Sequence, residues 1–120
     1  MKYDTNNIFA RILRKEIPAK VVYENDDALA FYDIYPKAPF HVLVIPKGEF
    51  MAFDDFAEKA SPQQIVEFTK AIQHVIHAFN LQEKGFRLLS NQGVHGGQEV
   101  PHYHVHIFAG RPLGKMLSEE

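Results

Sequence analysis

The sequence predicts an α+β fold: about five mainly antiparallel strands with one long and one short helix. Three observations carry that expectation: an amphipathic segment after Ser61, short β-prone runs bounded by turn residues, and connections too short for distant parallel crossovers except across the Ser61 helix. A chain of 120 residues suits one domain over 1–120, its last stretch, 110–120, a polar tail. That size buries a real core without disulfides or a structural metal.

The short helix comes first. Ile8, Phe9, Ile12 and Leu13 share one helical face after Asp4, Thr5 and Asn6, which can cap, and Pro18 stops anything helical before Ala19. Residues 20–24 and 28–33 are β-prone runs around the polar cluster Asn25-Asp26-Asp27 and read as a hairpin. Pro36 and Pro39 bracket a loop. A third strand over 41–45 is apolar after His41 and closed by Pro46, with His41, Leu43 and Ile45 on one face.

The long helix has a marked start: Ser61 as N-cap, Pro62 at the first position and Gln64 completing a capping box. Its stripe of Ile65, Phe68, Ile72, Val75, Ile76 and Phe79 predicts a buried face that ends near Asn80. Residues 86–90 read as a fourth strand, 91–98 as a glycine-rich loop and 102–108 as a fifth strand. His74 and His77 fall on the outer surface of the helix, and His95 lies in the loop with no spacing that demands a role.

Composition narrows the function classes. A formal charge of -2 leaves no basic footprint for nucleic acid, and no apolar run approaches the length of a membrane span. Without cysteine there are no thiolate nucleophiles and no cysteine-based zinc sites. The first 14 residues do not read as a secretory signal, so a cytoplasmic protein is expected.

The chemistry concentrates in His102-Tyr103-His104-Val105-His106. Strand alternation puts His102, His104, His106 and Phe108 on one face and Tyr103, Val105 and Ile107 on the other. Histidine has no particular β propensity, so three in strict alternation point to function. A metal site is the competing reading, but at ~3.3 Å per residue the first and third histidines are roughly 13 Å apart, too far to share one ion. No metal and no cofactor are therefore expected. Covalent catalysis fits better: a neutral His104, one nitrogen held by an acceptor, presents its other lone pair to phosphorus while His102 and His106 hydrogen-bond the phosphoryl group. The glycines of residues 91–98 allow backbone N–H groups to approach an anion closely.

Residues 91–108, NQGVHGGQEVPHYHVHIF, resemble the histidine triad family, and the match extends to IFARILRKEIPAK at 8–20, FYDIYP at 31–36 and APFHVLVIPK at 38–47, similar to its Hint branch. The resemblance covers nearly all of the chain. It implies a homodimer that binds purine nucleotides and hydrolyses phosphoramidates of AMP or GMP through a nucleotidyl-histidine, with His104 as nucleophile and His41, His102 and His106 around the phosphate. It further implies that Asp33 binds ribose hydroxyls, that Ile8, Phe9, Ile17 and Ile34 line the nucleoside pocket, and that Asn91, Gly97, Gln98 and the backbone of Glu99 hold the phosphate end. Glu99 departs from the serine common in Hint-type proteins. An ionised glutamate cannot donate a hydrogen bond, so its carboxylate is expected either to point away or to act as an acid with a raised pKa. A dinucleoside polyphosphate hydrolase of the Fhit type and a nucleotide-binding regulatory module are the alternatives.

Overall fold

The computed structural model describes residues 2–118. In chain order these form α1 (Ile8–Leu13), β1 (Val21–Glu24), β2 (Ala28–Tyr32), β3 (Phe40–Pro46), α2 (Phe53–Lys59), α3 (Pro62–Ala78), α4 (Leu81–Lys84), β4 (Arg87–Leu89), α5 (Gly93–Gly96) and β5 (Val105–Ala109). The strands form one sheet in the order β1-β2-β3-β5-β4. Every neighbouring pair is antiparallel, as the α+β reading requires.

Local chemistry explains the elements. The hairpin turns on Asn25, whose Oδ1 accepts the N–H groups of Asp27 and Ala28 at 2.8 Å each. α1 is capped by Asn7 rather than by the three residues before it, its Oδ1 accepting the Ala10 N–H at 2.9 Å. The capping box of α3 is present, with Ser61 Oγ accepting from Gln64 N–H at 3.1 Å and Gln64 Oε1 accepting from Ser61 N–H at 2.8 Å. α3 stops where Asn80 turns left-handed at φ 57°.

Period two then sorts the sheet's faces. Ala28, Ala30, Val42, Val44, Val105 and Ile107 pack with Phe56 of α2 and Phe68, Ala71 and Val75 of α3. The opposite face, Leu29, Phe31, Leu43 and Ile45, packs against Phe9 and Ile12 of α1. Cross-strand pairing sets His41 opposite Phe108 and Leu43 opposite His106, so both histidines sit on the α1 face.

Three expectations need correction. Three short helices, α2, α4 and α5, lie where connections were read, none of them with a side-chain cap bond at its start. The buried stripe of α3 is Phe68, Ala71, Val75 and Ile76, whereas Ile65 and Phe79 at its two ends are more than a third exposed, although the Phe79 ring packs against Phe40 and Tyr32 of the sheet. His74 is exposed on the outer surface as expected, and its ring stacks on Tyr23 of β1 with centroids 3.9 Å apart. β5 begins at Val105, leaving His102 and His104 ahead of the ladder. Pro101 has no N–H to offer, and the Tyr103 N–H turns away to Phe50 O at 2.8 Å.

Candidate active site

His41, His104 and His106 come together on the α1 face, with His102 behind them. The ring centroids of His104 and His106 are 5.1 Å apart, as are those of His41 and His106. Phe9 from α1 meets the His104 ring edge-on at 4.9 Å. His41, His102 and His104 are all buried.

Proton positions follow from what each ring nitrogen faces. His104 Nδ1 lies 2.6 Å from the carbonyl oxygen of His102, which can only accept, so Nδ1 carries the proton and Nε2 keeps its lone pair. His41 Nδ1 accepts the Lys37 N–H at 3.2 Å, so the His41 proton sits on Nε2 and is donated to His106 Nδ1 at 2.9 Å. That bond in turn leaves His106 with a proton on its own Nε2. His102 Nε2–H donates to Pro46 O at 2.8 Å, and its Nδ1 accepts the Tyr3 hydroxyl at 2.5 Å. The result is one exposed lone pair, on His104, beside one free N–H donor, on His106.

Electrostatics keeps the set neutral. Burial pushes His102 and His106 down to about 4, helped at His106 by the neighbouring His104 and His41. Burial also lowers His104, against the opposing pull of its bond to the His102 carbonyl and of the Asp33 and Glu99 carboxylates. His41 is lowered by burial and Lys37, while Asp33 works the other way. A neutral imidazole is what a nitrogen nucleophile needs.

Asp33 stands at the end of β2, its Oδ1 accepting the Tyr35 N–H at 2.8 Å and its Oδ2 3.5 Å from His41 Nε2. Asp33, His41 and His106 thus form a potential metal-ligand set, atoms within 4.8 Å of one another, which spacing along one strand could not reveal. The donor set fits a proton better than an ion. Metal on His41 Nε2 would move that ring's proton to Nδ1, where it would oppose the Lys37 N–H.

The remaining predicted residues divide. Phe9 is buried against the histidines, Ile8 is partly exposed, and Ile34 is largely exposed beside Asp33. Ile17 packs against the apolar cluster that contains Phe9 and lines a cavity of about 430 Å³ with Ile12, Leu13, Pro18 and Leu29. A larger cavity of about 820 Å³, lined by residues from Phe79 to Leu113, shares no residue with the histidine cluster.

The glycine-rich loop is folded on itself more than its sequence suggests. Gln98 Nε2 donates to Met51 O at 2.7 Å and Val100 O at 3.0 Å, and its Oε1 accepts the Gly93 N–H at 3.1 Å. The N–H groups of Gly97 and Gln98 close the α5 turn onto Val94 O and Gly93 O, each at 3.1 Å. Gly97 itself needs its glycine, at φ 74°. These donors are therefore engaged within the loop, whereas the Glu99 N–H takes no part in its turn bonds among the described residues. The Glu99 side chain is exposed and Asn91 is half-buried. Tyr3 has no signal in the sequence that couples it to His102, 99 positions away.

An all-antiparallel sheet with α1 over one face, and a histidine strand completed by His41, defines a class, and the comparisons agree: the HIT domain model matches residues 14–113, so this chain belongs to the HIT family. It is 51% identical over 117 residues to a 13.2 kDa HIT-like protein of Azospirillum brasilense, covering 98% of this chain and 96% of that one. It is also 39% identical over 113 residues to the purine nucleoside phosphoramidase of Escherichia coli strain K12, covering 94% of each. Among solved structures, a histidine triad protein from Clostridium difficile superposes with a TM-score of 0.86 at 37% identity, covering 98% of this chain and 100% of that chain. A HIT family hydrolase from Clostridium thermocellum gives 0.85 at 36% identity, over 93% and 97% of the two chains. No helix among the described residues is long and apolar enough to cross a membrane.

Proposed function

We propose that the protein hydrolyses the P–N bond of purine nucleoside 5′-phosphoramidates, conjugates of AMP or GMP, through a nucleotidyl group carried on His104. The observation that carries this reading is the unshared His104 Nε2 lone pair, set by the 2.6 Å bond from Nδ1–H to the His102 carbonyl. The Escherichia coli phosphoramidase, related over nearly its whole length, supports the substrate class.

In the first half-reaction Nε2 attacks phosphorus and the P–N pair departs with the amine, which takes a proton from solvent. The His106 Nε2–H donates to a phosphoryl oxygen throughout. His41 fixes that donor by holding His106 Nδ1 as an acceptor. In the second half-reaction water attacks phosphorus, its proton is lost to solvent, and the phosphorus–His104 bond breaks to release the nucleoside monophosphate. The attachment on Nε2 leaves Nδ1–H on the His102 carbonyl, which stabilises the cationic intermediate.

Asp33 accepts from the ribose hydroxyls, Ile8, Phe9 and Ile34 flank the base, and Ile17 supports Phe9 through the cluster they share. Asn91, Gly97 and Gln98 shape the loop so that the Glu99 N–H is offered to the phosphate while its carboxylate stays in solvent. Two copies pair as a homodimer through the open β4 edge of the sheet, where Leu88 and Phe86 are exposed. Incubation with adenosine 5′-phosphoramidate is expected to yield AMP, with none from His104→Ala; wild-type protein that forms no AMP refutes the proposal. A faster rate on diadenosine polyphosphates would instead favour the Fhit-type hydrolase.

A further inference from the structure

The N-terminal segment reaches the chemistry through one side chain. His104 rides on a stretch that lacks ladder hydrogen bonds, because β5 begins only at Val105. Its immediate anchor is the carbonyl of His102, so the nucleophile is aimed only as well as residue 102 is held.

At the backbone, residue 102 is held by its own N–H on Val100 O at 2.9 Å and by the following Tyr103 N–H on Phe50 O at 2.8 Å, and its ring adds two further bonds. Nε2–H reaches Pro46 O at the end of β3, and Nδ1 receives the Tyr3 hydroxyl. The Tyr3 ring also meets the His102 ring edge-on, centroids 5.7 Å apart. Without the hydroxyl, His102 Nδ1 would be a fully buried acceptor with nothing to accept, and the ring would keep one tether, Pro46 O, beside the backbone bonds. Burial raises the Tyr3 pKa, so the phenol keeps the proton it donates.

We propose that Tyr3 is a positioning residue for the reaction: its hydroxyl clamps the His102 ring from the side opposite Pro46 and thereby fixes the carbonyl that aims His104. The inference rests on the His104 reading above for its kinetic consequence, but the clamp itself is open to measurement without turnover. The N-terminal segment is then a part of the active site that no triad pattern contains.

The test compares wild type with Tyr3→Phe, which keeps the ring, and Tyr3→Leu, which removes it. Imidazole 15N–1H spectra report the His102 tautomer, and steady-state kinetics on adenosine 5′-phosphoramidate report the rest. Tyr3→Phe is expected to lower kcat on the order of tenfold with KM nearly unchanged, because misaiming affects attack rather than binding. The His102 Nε2–H resonance is expected to broaden or exchange faster in both variants. Loss of kcat in Tyr3→Leu alone would mean that packing matters and the hydroxyl does not, overturning the proposal. An unchanged His102 resonance in Tyr3→Phe would overturn it too, as would a changed resonance with unchanged kcat. If wild type itself forms no AMP, the phosphoramidase reading fails, and the His102 spectra still decide whether the clamp exists.

Discussion

Acid should unfold this protein at a pH where most proteins of its size still hold, and His102 should account for a measurable share. Its ordinary pKa of 6.5 falls to about 4 in the folded state, and His106 behaves alike. The unfolded chain therefore binds these protons more tightly. The stabilisation is full above the unfolded value and drains away as pH drops through the interval between the two. From about pH 7 to about pH 5 the fully buried His102 costs about 2 kcal/mol, a large part of a small domain's stability, and the partly exposed His106 adds a smaller loss in the same direction. His104 and His41, lowered by burial as well, add in the same direction. Glu24 and Asp55, held below the ordinary carboxylate range by Lys47 and Lys59, give way only at lower pH. The assay is urea unfolding at fixed protein concentration, followed by far-ultraviolet circular dichroism because the chain has no tryptophan. His102→Gln keeps a donor for Pro46 O and an acceptor for Tyr3 but removes one proton, so its loss between the two pH values should be about 2 kcal/mol smaller than wild type. An equal loss in both proteins would refute the assignment of a buried neutral His102.

Two further outcomes follow from the geometry. His41→Gln removes the ring that holds His106 in its donor tautomer and should lower kcat about ten- to a hundredfold, read by single-turnover kinetics with the melting temperature as a check on folding. Phe68→Ala, at 3% exposure between Phe56 and Tyr103, should cost about 4 kcal/mol in urea denaturation.

Much of this was legible because it is local. The Ser61-Pro62-Gln64 start of α3, the Asn25 turn and the alternation that puts His41, Leu43 and Ile45 on one face each depend on residues a few positions apart. The α+β class follows from summing such signals. What stayed hidden is tertiary. Period two placed the three histidines on one face, but the ladder reaches only His106; His102 is held by Val100, Pro46 and Tyr3, and His104 by Ser90 and the His102 carbonyl. The Asp33, His41 and His106 cluster joins two strands and a loop, so no spacing announces it. Gln98 reads as a ligand-facing side chain in a glycine-rich run, whereas its amide staples the loop to Met51. α2 went unseen because Ala52 offers no side-chain cap and Phe56 is the one residue of the helix that is buried.

The central claim is that His104 carries the nucleotide. Intact mass of the protein, quenched without acid during turnover of adenosine 5′-phosphoramidate, tests it most directly, since phosphorus–nitrogen bonds to imidazole are acid-labile. A nucleotidyl increment on wild type that is absent from His104→Ala is the predicted result. Turnover with no adduct at any time after mixing, or an adduct that persists in His104→Ala, would contradict it.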